Sequence, residues 1–188
     1  PALYEDYALE IPLAGGPAGA TDTVPFVGQP EIDNLDWVVS VATPEWRKFS
    51  GSVFALWGHD ENFPEWASGD IWWLTLEADW RPTDRLRVGG LYRLQQVNRR
   101  TDGSLVDRGR IPRLKVEYQV TRAIFVRLVG QYTSLETDAL RDDSRTNAPI
   151  LIRDETGTYV RTVARSSGRL RTDALFAYRP TPGTTVFV

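Results

Sequence analysis

The residues best suited to chemistry are two pairs of carboxylates, Glu77 with Asp79 and Asp142 with Asp143. Glycoside hydrolysis needs two carboxylates about 5–10 Å apart across the scissile bond. Glu77 and Asp79 are two positions apart in a predicted strand, which places them about 7 Å apart on one face. That spacing permits the reaction but is not specific for it, because charges that line a polar surface have the same spacing. We therefore predict no catalytic residue and no enzyme activity.

Metal and nucleophile sites have little support. The chain has no Cys and a single histidine, His59, so thiolate sites, multi-His sites and Cys nucleophiles are excluded. Oxygen ligands for Ca²⁺ could come from two acidic segments, but neither has the spacing or the glycine of an EF-hand. These segments contain Asp60, Glu61 and Asn62, and Asp138, Asp142 and Asp143. Solvated loops explain them better, and we predict neither a metal nor a cofactor.

A larger set of charged residues recurs at alternate positions along the chain. On one face of a sheet they could form the wall of an aqueous lumen that selects or binds a polar solute. The alternative is that they pair across strands and fill a polar interior. We treat them as candidate solute contacts: Glu77, Asp79, Arg87, Arg93, Arg113, Lys115, Glu117, Arg127, Arg171 and Asp173.

Two aromatic residues in a predicted loop, Phe63 and Trp66, are candidates for recognition. Exposed aromatic rings can stack on a sugar or on a protein partner. Alternatively, both rings fold back and pack the loop over the rim of the sheet.

Alternation of apolar and polar residues is the dominant pattern, and it predicts an all-β fold. In Asp70–Trp80 the even positions from Trp72 onward are apolar and the odd positions from Thr75 onward are polar, so one face of the strand is apolar and the other acidic. The same pattern recurs in Arg85–Val97, Arg113–Val120, Arg122–Ser134 and Gly168–Arg179. Less regular strands are predicted at Leu35–Ala42, Trp46–Trp57 and Thr184–Val188.

The length of these segments favours strands that cross a membrane. The best are about 10–13 residues long, whereas strands average about 5–6 residues in soluble proteins and need about 9–11 to cross a bilayer. No apolar run reaches the length of roughly 18 residues that a transmembrane helix needs. The 188 residues include 41% hydrophobic and 25% charged residues, and the net charge of −3 gives no reason to expect nucleic acid as a partner.

The connections between the predicted strands alternate strictly between short turns and long polar loops, as in outer-membrane barrels. The short turns fall at 43–45, 81–84, 120–122 and 180–183, and the long loops at 58–69, 98–109 and 135–167. If the short turns are periplasmic, several aromatic residues fall at the two membrane interfaces, which their side chains prefer. Near the outer interface these are Trp72 and Tyr132, and near the periplasmic one Trp46, Trp80, Tyr118 and Tyr178.

The sequence divides into two regions. Residues 1–34 contain Gly15-Gly16-Pro17 and Gly28-Gln29-Pro30, which predict an irregular lead-in or loop. Residues 35–188 predict an antiparallel barrel segment that is incomplete at its C-terminal end. Inside the longest loop, residues 149–162 predict a hairpin that closes through 155–157.

Four runs of residues carry a further signal. They are WGHDENFPEWASGDIWWLTLEADWRPTDRL (57–86), RIPRLKVEYQVTRAIFVRLVGQY (110–132), DALRDDSRT (138–146) and GRLRTDALFAYRPTPGTTVFV (168–188). They resemble the C-terminal barrel region of an uncharacterised family of bacterial outer-membrane proteins, in which a carbohydrate-binding-like β-sandwich precedes a long β-barrel. The resemblance covers roughly residues 35–188 and implies a barrel in the outer membrane, without a known activity. It also implies that an N-terminal domain and closing strands lie outside this chain.

These observations predict an antiparallel up-and-down meander that forms an outer-membrane β-barrel or part of one. The predicted function is porin-like: transport, secretion or surface binding of an unknown solute in the bacterial outer membrane. Its partners would be outer-membrane lipid and, where sheet edges stay open, other subunits that cover them. Two alternatives stay open, a structural β-sheet subunit of a larger assembly and a soluble lipocalin-like or sandwich binding protein. They differ in whether the apolar face meets lipid or a shared core.

Overall fold

The computed structural model describes residues 6–179 and 186–187. It confirms an all-β, antiparallel fold: 67% of the residues are in strands, and the strands form two sheets without any helix. No helix in the described ranges is long and apolar enough to cross a membrane.

The strands follow one another along the chain with few long connections. They are β1 (Tyr7–Pro12), β2 (Thr21–Pro25), β3 (Leu35–Ala42), β4 (Phe49–Asn62), β5 (Ala67–Thr83), β6 (Leu86–Arg99), β7 (Leu105–Gln119), β8 (Ile124–Thr137), β9 (Ile150–Arg153), β10 (Tyr159–Arg161), β11 (Arg165–Tyr178) and β12 (Val186–Phe187).

The larger sheet has eight strands in the order β12-β11-β8-β7-β6-β5-β4-β3. Each strand pairs with its neighbour in sequence, apart from the step from β8 to β11. Two Thr side chains help to close tight turns at the same end of the sheet. The Thr83 hydroxyl accepts the N–H of Leu86 at 3.0 Å, and the Thr121 hydroxyl accepts the N–H of Ile124 at 3.1 Å. Such hydroxyl contacts are a local signal of a turn.

The described strands of the larger sheet do not form a closed barrel. β3 forms one edge and β12 the other, and no pairing joins them within the described part of the chain. A sheet edge presents unpaired backbone groups, which need a partner or solvent.

The smaller sheet corrects the prediction for residues 1–34. Within this segment, β1 and β2 form a hairpin in the register Leu9 opposite Val24. The Gly-rich stretch between them is the hairpin loop, in which Gly15 and Gly19 have φ angles of +73° and +86°. Glycine adopts this backbone conformation without steric cost. The prediction failed because β1 also pairs with β9, and that distant partner has no local signal.

Two of the three predicted long loops are also corrected. β4 and β5 stay paired as far as Asn62 opposite Ala67, so the predicted loop 58–69 is only a turn at 63–66. The loop 98–109 shrinks to residues 100–104 in the same way. Short and long connections therefore do not alternate strictly. The polar residues there suggested a loop, but ladder hydrogen bonds satisfy their backbone. The third loop, residues 138–164, is long and contains the predicted hairpin as β9 and β10.

The buried core lies at one end of the molecule. We call the smaller sheet and the segments around it (residues 6–29, 62–68, 99–106 and 138–162) the cap. Its apolar centre contains Leu9, Phe26, Leu140, Ala148 and Ile150. Among the described residues, only Ile71 and Ala177 are buried hydrophobic residues outside the cap. The larger sheet therefore has no apolar core of its own.

Candidate functional site

The predicted charged residues lie on one face of the larger sheet, which we call the polar face. The register aligns them in rows: Glu77 lies opposite Leu91, which lies opposite Arg113. Arg113 lies opposite Gln131, which lies opposite Arg171. Arg93, Lys115, Glu117, Arg127 and Asp173 share this face because they are even numbers of residues from these positions on their strands.

Part of this face is neutralised by ion pairs. Asp79 accepts hydrogen bonds from Arg87 Nε at 2.6 Å and from Arg81 Nε at 3.0 Å. Glu117 lies 3.2 Å from Lys115 Nζ. Arg87 on β6 pairs across strands with Asp79 and lies 4.0 Å from Glu117, which agrees with the alternative that charges pair across strands. The other two contacts, Arg81 with Asp79 and Lys115 with Glu117, are within one strand each.

The remaining charges of the set are not neutralised in this way. They are Glu77, Arg93, Arg113, Arg127, Arg171 and Asp173. Among the described residues, none of these six has an oppositely charged partner within 4.0 Å. Four of the six are arginines, so the side chains left available on this face are mainly cationic.

A cavity of about 510 Å³ opens on the polar face beside these charges. Its lining includes Ser50, Glu77, Asp79, Gly89, Arg113 and Lys115. Gly89 has no side chain to occupy the cavity; a Cβ there would lie 3.5 Å from the Cε of Lys115. Two guanidinium groups bind the carboxylate of Asp79, so one member of the Glu77/Asp79 pair is held in ion pairs.

The opposite face of the larger sheet, which we call the apolar face, carries a band of apolar side chains. On five strands the band is five alternate positions long. It runs from Phe49 to Trp57 on β4, Trp72 to Trp80 on β5, Leu86 to Leu94 on β6, Ile124 to Tyr132 on β8 and Leu170 to Tyr178 on β11. Many of its side chains are exposed, including Leu170 at 68%. No described part of the chain covers the band as a second layer.

Five of the six aromatic residues assigned to the membrane interfaces lie on this face and are exposed: Trp72, Trp80, Tyr118, Tyr132 and Tyr178. Trp72 stacks on Trp57 of the neighbouring strand, with ring centroids 6.1 Å apart. Trp46 was predicted to begin a strand, but β4 begins at Phe49, and Trp46 lies exposed in the short turn before it, stacked on Phe49.

A belt of polar pairs borders the band on the side of the cap, and sequence reasoning did not identify it. His59 Nδ1 lies 2.6 Å from Asp70 Oδ1, directly beside Trp57 and Trp72 in the ladder. Arg108 pairs with Glu136, whose other oxygen lies 3.3 Å from Arg110. Along β4, β5 and β8 the apolar face thus changes from apolar to polar side chains beyond Trp57, Trp72 and Tyr132.

The two loop aromatics have separate environments. Trp66 packs against the centre of the cap. A Cβ on Gly28 would lie 2.1 Å from its ring, so glycine is needed there. Phe63 packs against Trp66 with the two rings tilted by 47°, but it remains 61% exposed. Of the two recognition candidates, only Phe63 therefore presents most of its surface to solvent.

A buried ion network in the cap was missed by sequence reasoning. Arg99 and Glu65 are both fully buried, and Arg99 donates to both oxygens of Glu65. Arg99 also donates to Asp138 at 2.7 Å and to the carbonyl oxygens of Leu105 and Ala139. Glu65 in turn accepts the N–H of Arg141 at 3.0 Å. One guanidinium thus joins three separate segments of the cap.

The pKa values in this network follow from the hydrogen bonds. Burial would lower the pKa of Arg99, but the hydrogen bonds to Glu65 and Asp138 outweigh it and raise that pKa. Burial would likewise raise the pKa of Asp138, but hydrogen bonds from Arg99 and the Ala139 N–H hold it below its usual value. The hydroxyl and N–H of Ser104 and the guanidinium of Arg141 hold the pKa of Asp102 far below its usual range.

The geometry defines a class of structure: an antiparallel meander with one polar and one apolar face, capped at one end. No protein-family model, characterised protein or solved structure matches the chain. In the described part of the chain no three His, Asp or Glu side chains gather as a metal site. The functional argument therefore depends on the two faces and the cap.

Proposed function

We propose that the larger sheet is part of the wall of a bacterial outer-membrane β-barrel, through which a polar solute passes or to which it binds. The apolar face meets lipid, and the polar face lines a water-filled interior. The observation that carries this proposal is the exposed apolar band, which has the same length on five strands and no covering layer of protein.

The length of the band supports a bilayer as its surroundings. From Trp72 to Trp80 the band covers nine residues of β5, and a tilted strand needs about 9–11 residues to cross a bilayer. Outer-membrane barrels carry such an outward apolar band with aromatic residues at both borders. Trp72 and Trp80 occupy those borders on β5, and Tyr132 is the border residue on the cap side of β8. The His59–Asp70 pair and the Arg108–Glu136 pair begin where the band ends, as expected at a membrane–water interface.

The soluble alternative requires a core that the described residues do not provide. A sandwich or a lipocalin-like calyx buries its apolar face between two layers. Here the smaller sheet contributes to a core in the cap, and Trp37, Trp72 and Leu170 remain exposed on the larger sheet. An exposed apolar patch of this extent on a soluble protein would promote aggregation.

The open edges require a partner under this proposal. In lipid each unsatisfied backbone group costs several kcal/mol, so the edge at β3 must be covered. Eight strands are enough to close a small barrel. Further strands of the same protein or of another subunit would close a larger one, and a structural role in a larger membrane assembly is the second form of the proposal. The cap then lies on the outer side, opposite the short turns at Thr83 and Thr121.

Extraction from the membrane and migration on a gel test the proposal. The chain, expressed with an export signal in a bacterium, should stay with the membrane after alkaline washing and should require detergent for release. Unboiled samples should migrate differently from boiled samples on a gel, as folded membrane barrels do. Release by buffer alone, with a monomer that remains soluble, would overturn the proposal and favour the soluble binding protein.

A further inference from the structure

The polar face is divided into an acidic side and a basic side at the depth of the apolar band. On β4 and β5 this stretch carries Glu77 and Asp79, and its one basic residue is Arg81 at the border, which is paired with Asp79. On β6, β7, β8 and β11 the same stretch of the polar face carries two acidic residues, Glu117 and Asp173, and six basic ones. The basic residues are Arg87, Arg93, Arg113, Lys115, Arg127 and Arg171. This local excess of positive charge contrasts with the net charge of −3 of the whole chain.

The ion pairs leave the arginines of the basic side available. Asp79 is occupied by Arg87 and Arg81, and Glu117 is occupied by Lys115. Arg93, Arg113, Arg127 and Arg171 have no carboxylate within ion-pair distance among the described residues. An interior that only filled itself with matched charges would leave no such surplus.

The register brings two of these arginines together around a neutral residue. Arg113 on β7 and Arg171 on β11 flank Gln131 in one row. Strand spacing places their backbones about 10 Å apart, within joint reach of their long side chains. Arg93 lies diagonally beside Arg113, because its own ladder partner is Ile111. Guanidinium groups bind phosphate and carboxylate groups through paired N–H donors.

We propose that these arginines form an anion-binding track, and that the solute is a small molecule with more than one phosphate or carboxylate group. This inference rests on the proposed function, since it assigns the chemistry of the solute in the same polar interior. Arg113 and Arg171 are its central residues, and Gln131 between them adds an amide donor. Glu77, in the same row beyond Leu91, opposes binding and marks where the track ends.

The test is calorimetric titration of the full chain, folded in neutral detergent micelles at low salt, with inorganic triphosphate. The double variant Arg113→Gln/Arg171→Gln should bind triphosphate at least about tenfold more weakly. Glu77→Gln should bind two- to threefold more tightly (a rough expectation), because it removes a repelling charge. Arg122→Gln is the matched control: it removes one positive charge in the β7–β8 turn and should leave the affinity unchanged.

Two results would overturn the anion track: a double variant within twofold of the unmodified chain, or an equal loss in Arg122→Gln. A shift on boiling in each variant shows that the folded state is retained. Flotation with phosphatidylcholine vesicles tests the proposed function separately. Failure to float overturns the membrane barrel even if triphosphate binds, whereas flotation without arginine-dependent binding overturns only the anion track.

Discussion

Arginine side chains have opposite environments in the cap and on the larger sheet. In the cap, Arg99 is fully buried and its donors are occupied by Glu65, Asp138 and backbone carbonyl groups. On the sheet, Arg113 is exposed and has no carboxylate partner among the described residues. A buried, fully bonded arginine stabilises the fold, whereas an exposed arginine without a partner is available to a solute.

The same contrast holds for apolar side chains. Ile150 in the cap is fully buried, whereas Leu170 on the sheet is 68% exposed. The cap excludes water with its own chain, as a small soluble domain does. The larger sheet does not, so its apolar face depends on surroundings other than this chain. The comparison therefore predicts that the two regions respond to different substitutions and different conditions.

The largest expected effect is in the cap. Arg99→Met leaves Glu65 and Asp138 without their cation, and breaking a buried pair in this way costs about 3–5 kcal/mol. We expect that loss in the free energy of unfolding of the cap, measured as protease protection of its segments in increasing urea. Arg100→Met is the control, because among the described residues the Arg100 side chain makes a single hydrogen bond, to the Ser68 hydroxyl at 3.3 Å. Equal losses in both variants would contradict the structural role of the network.

The second largest effect is expected on the apolar face of the larger sheet. Leu76→Arg places a charge in the middle of the apolar band and should cost about 2–4 kcal/mol at a bilayer midplane. The free energy is measured by urea titration of the chain folded into lipid vesicles. Ser52→Arg is the matched control, since Ser52 lies on the polar face opposite Glu77. If both variants fold into vesicles equally well, the apolar face does not meet lipid.

Acid should weaken the cap. The pKa values of Asp102 and Asp138 are lowered in the folded state, so the folded cap binds fewer protons than the unfolded chain. Their stabilising contribution is complete above the unfolded pKa of about 3.9 and is lost as the pH falls through their lowered values. Amide exchange of residues 138–141 should therefore be constant from about pH 5 to 8, after correction for intrinsic rates, and accelerate below about pH 4. Asp138→Asn should reduce this acid sensitivity, and an unchanged profile would contradict the assignment.

The smallest effect is expected at the exposed loop aromatic. Phe63→Ala should change the free energy of unfolding of the cap by about 0.5 kcal/mol or less, because most of the ring is in solvent. The measurement is the same protease protection in urea as for Arg99→Met. A loss above about 2 kcal/mol would show that Phe63 belongs to the packed part of the cap.

Much of the larger sheet was predictable because its signal is local. Strand β3 was predicted at its observed bounds, and β5, β6, β8 and β11 within three residues of theirs, whereas the predicted β7 began eight residues late. The alternation in Asp70–Trp80 identified the two faces, and the register confirms which residues share them. The prediction began β5 too late because Ala67, Ser68 and Gly69 lack an apolar alternation, although they pair with β4.

The cap was not predictable because its contacts join distant segments. Glu65, Arg99 and Asp138 each lie in a polar stretch that resembles a solvated loop, and nothing in any one stretch identifies the other two. Asp138 was considered only as a calcium ligand. The surplus of arginines on the polar face was visible in the sequence, but the pairing that leaves Arg113 and Arg171 available became clear only from the side-chain contacts.

The pairing of β1 with β9 has a consequence for the order in which the chain folds. Every hairpin of the larger sheet from β3 to β8 joins strands that are adjacent in sequence, and such local pairs form early and fast. Tyr7, by contrast, must meet Ile152, close to the opposite end of the described chain. The hairpin of β1 and β2 can form early, but its pairing with β9 must wait until the intervening strands have been synthesised, so the smaller sheet is completed late.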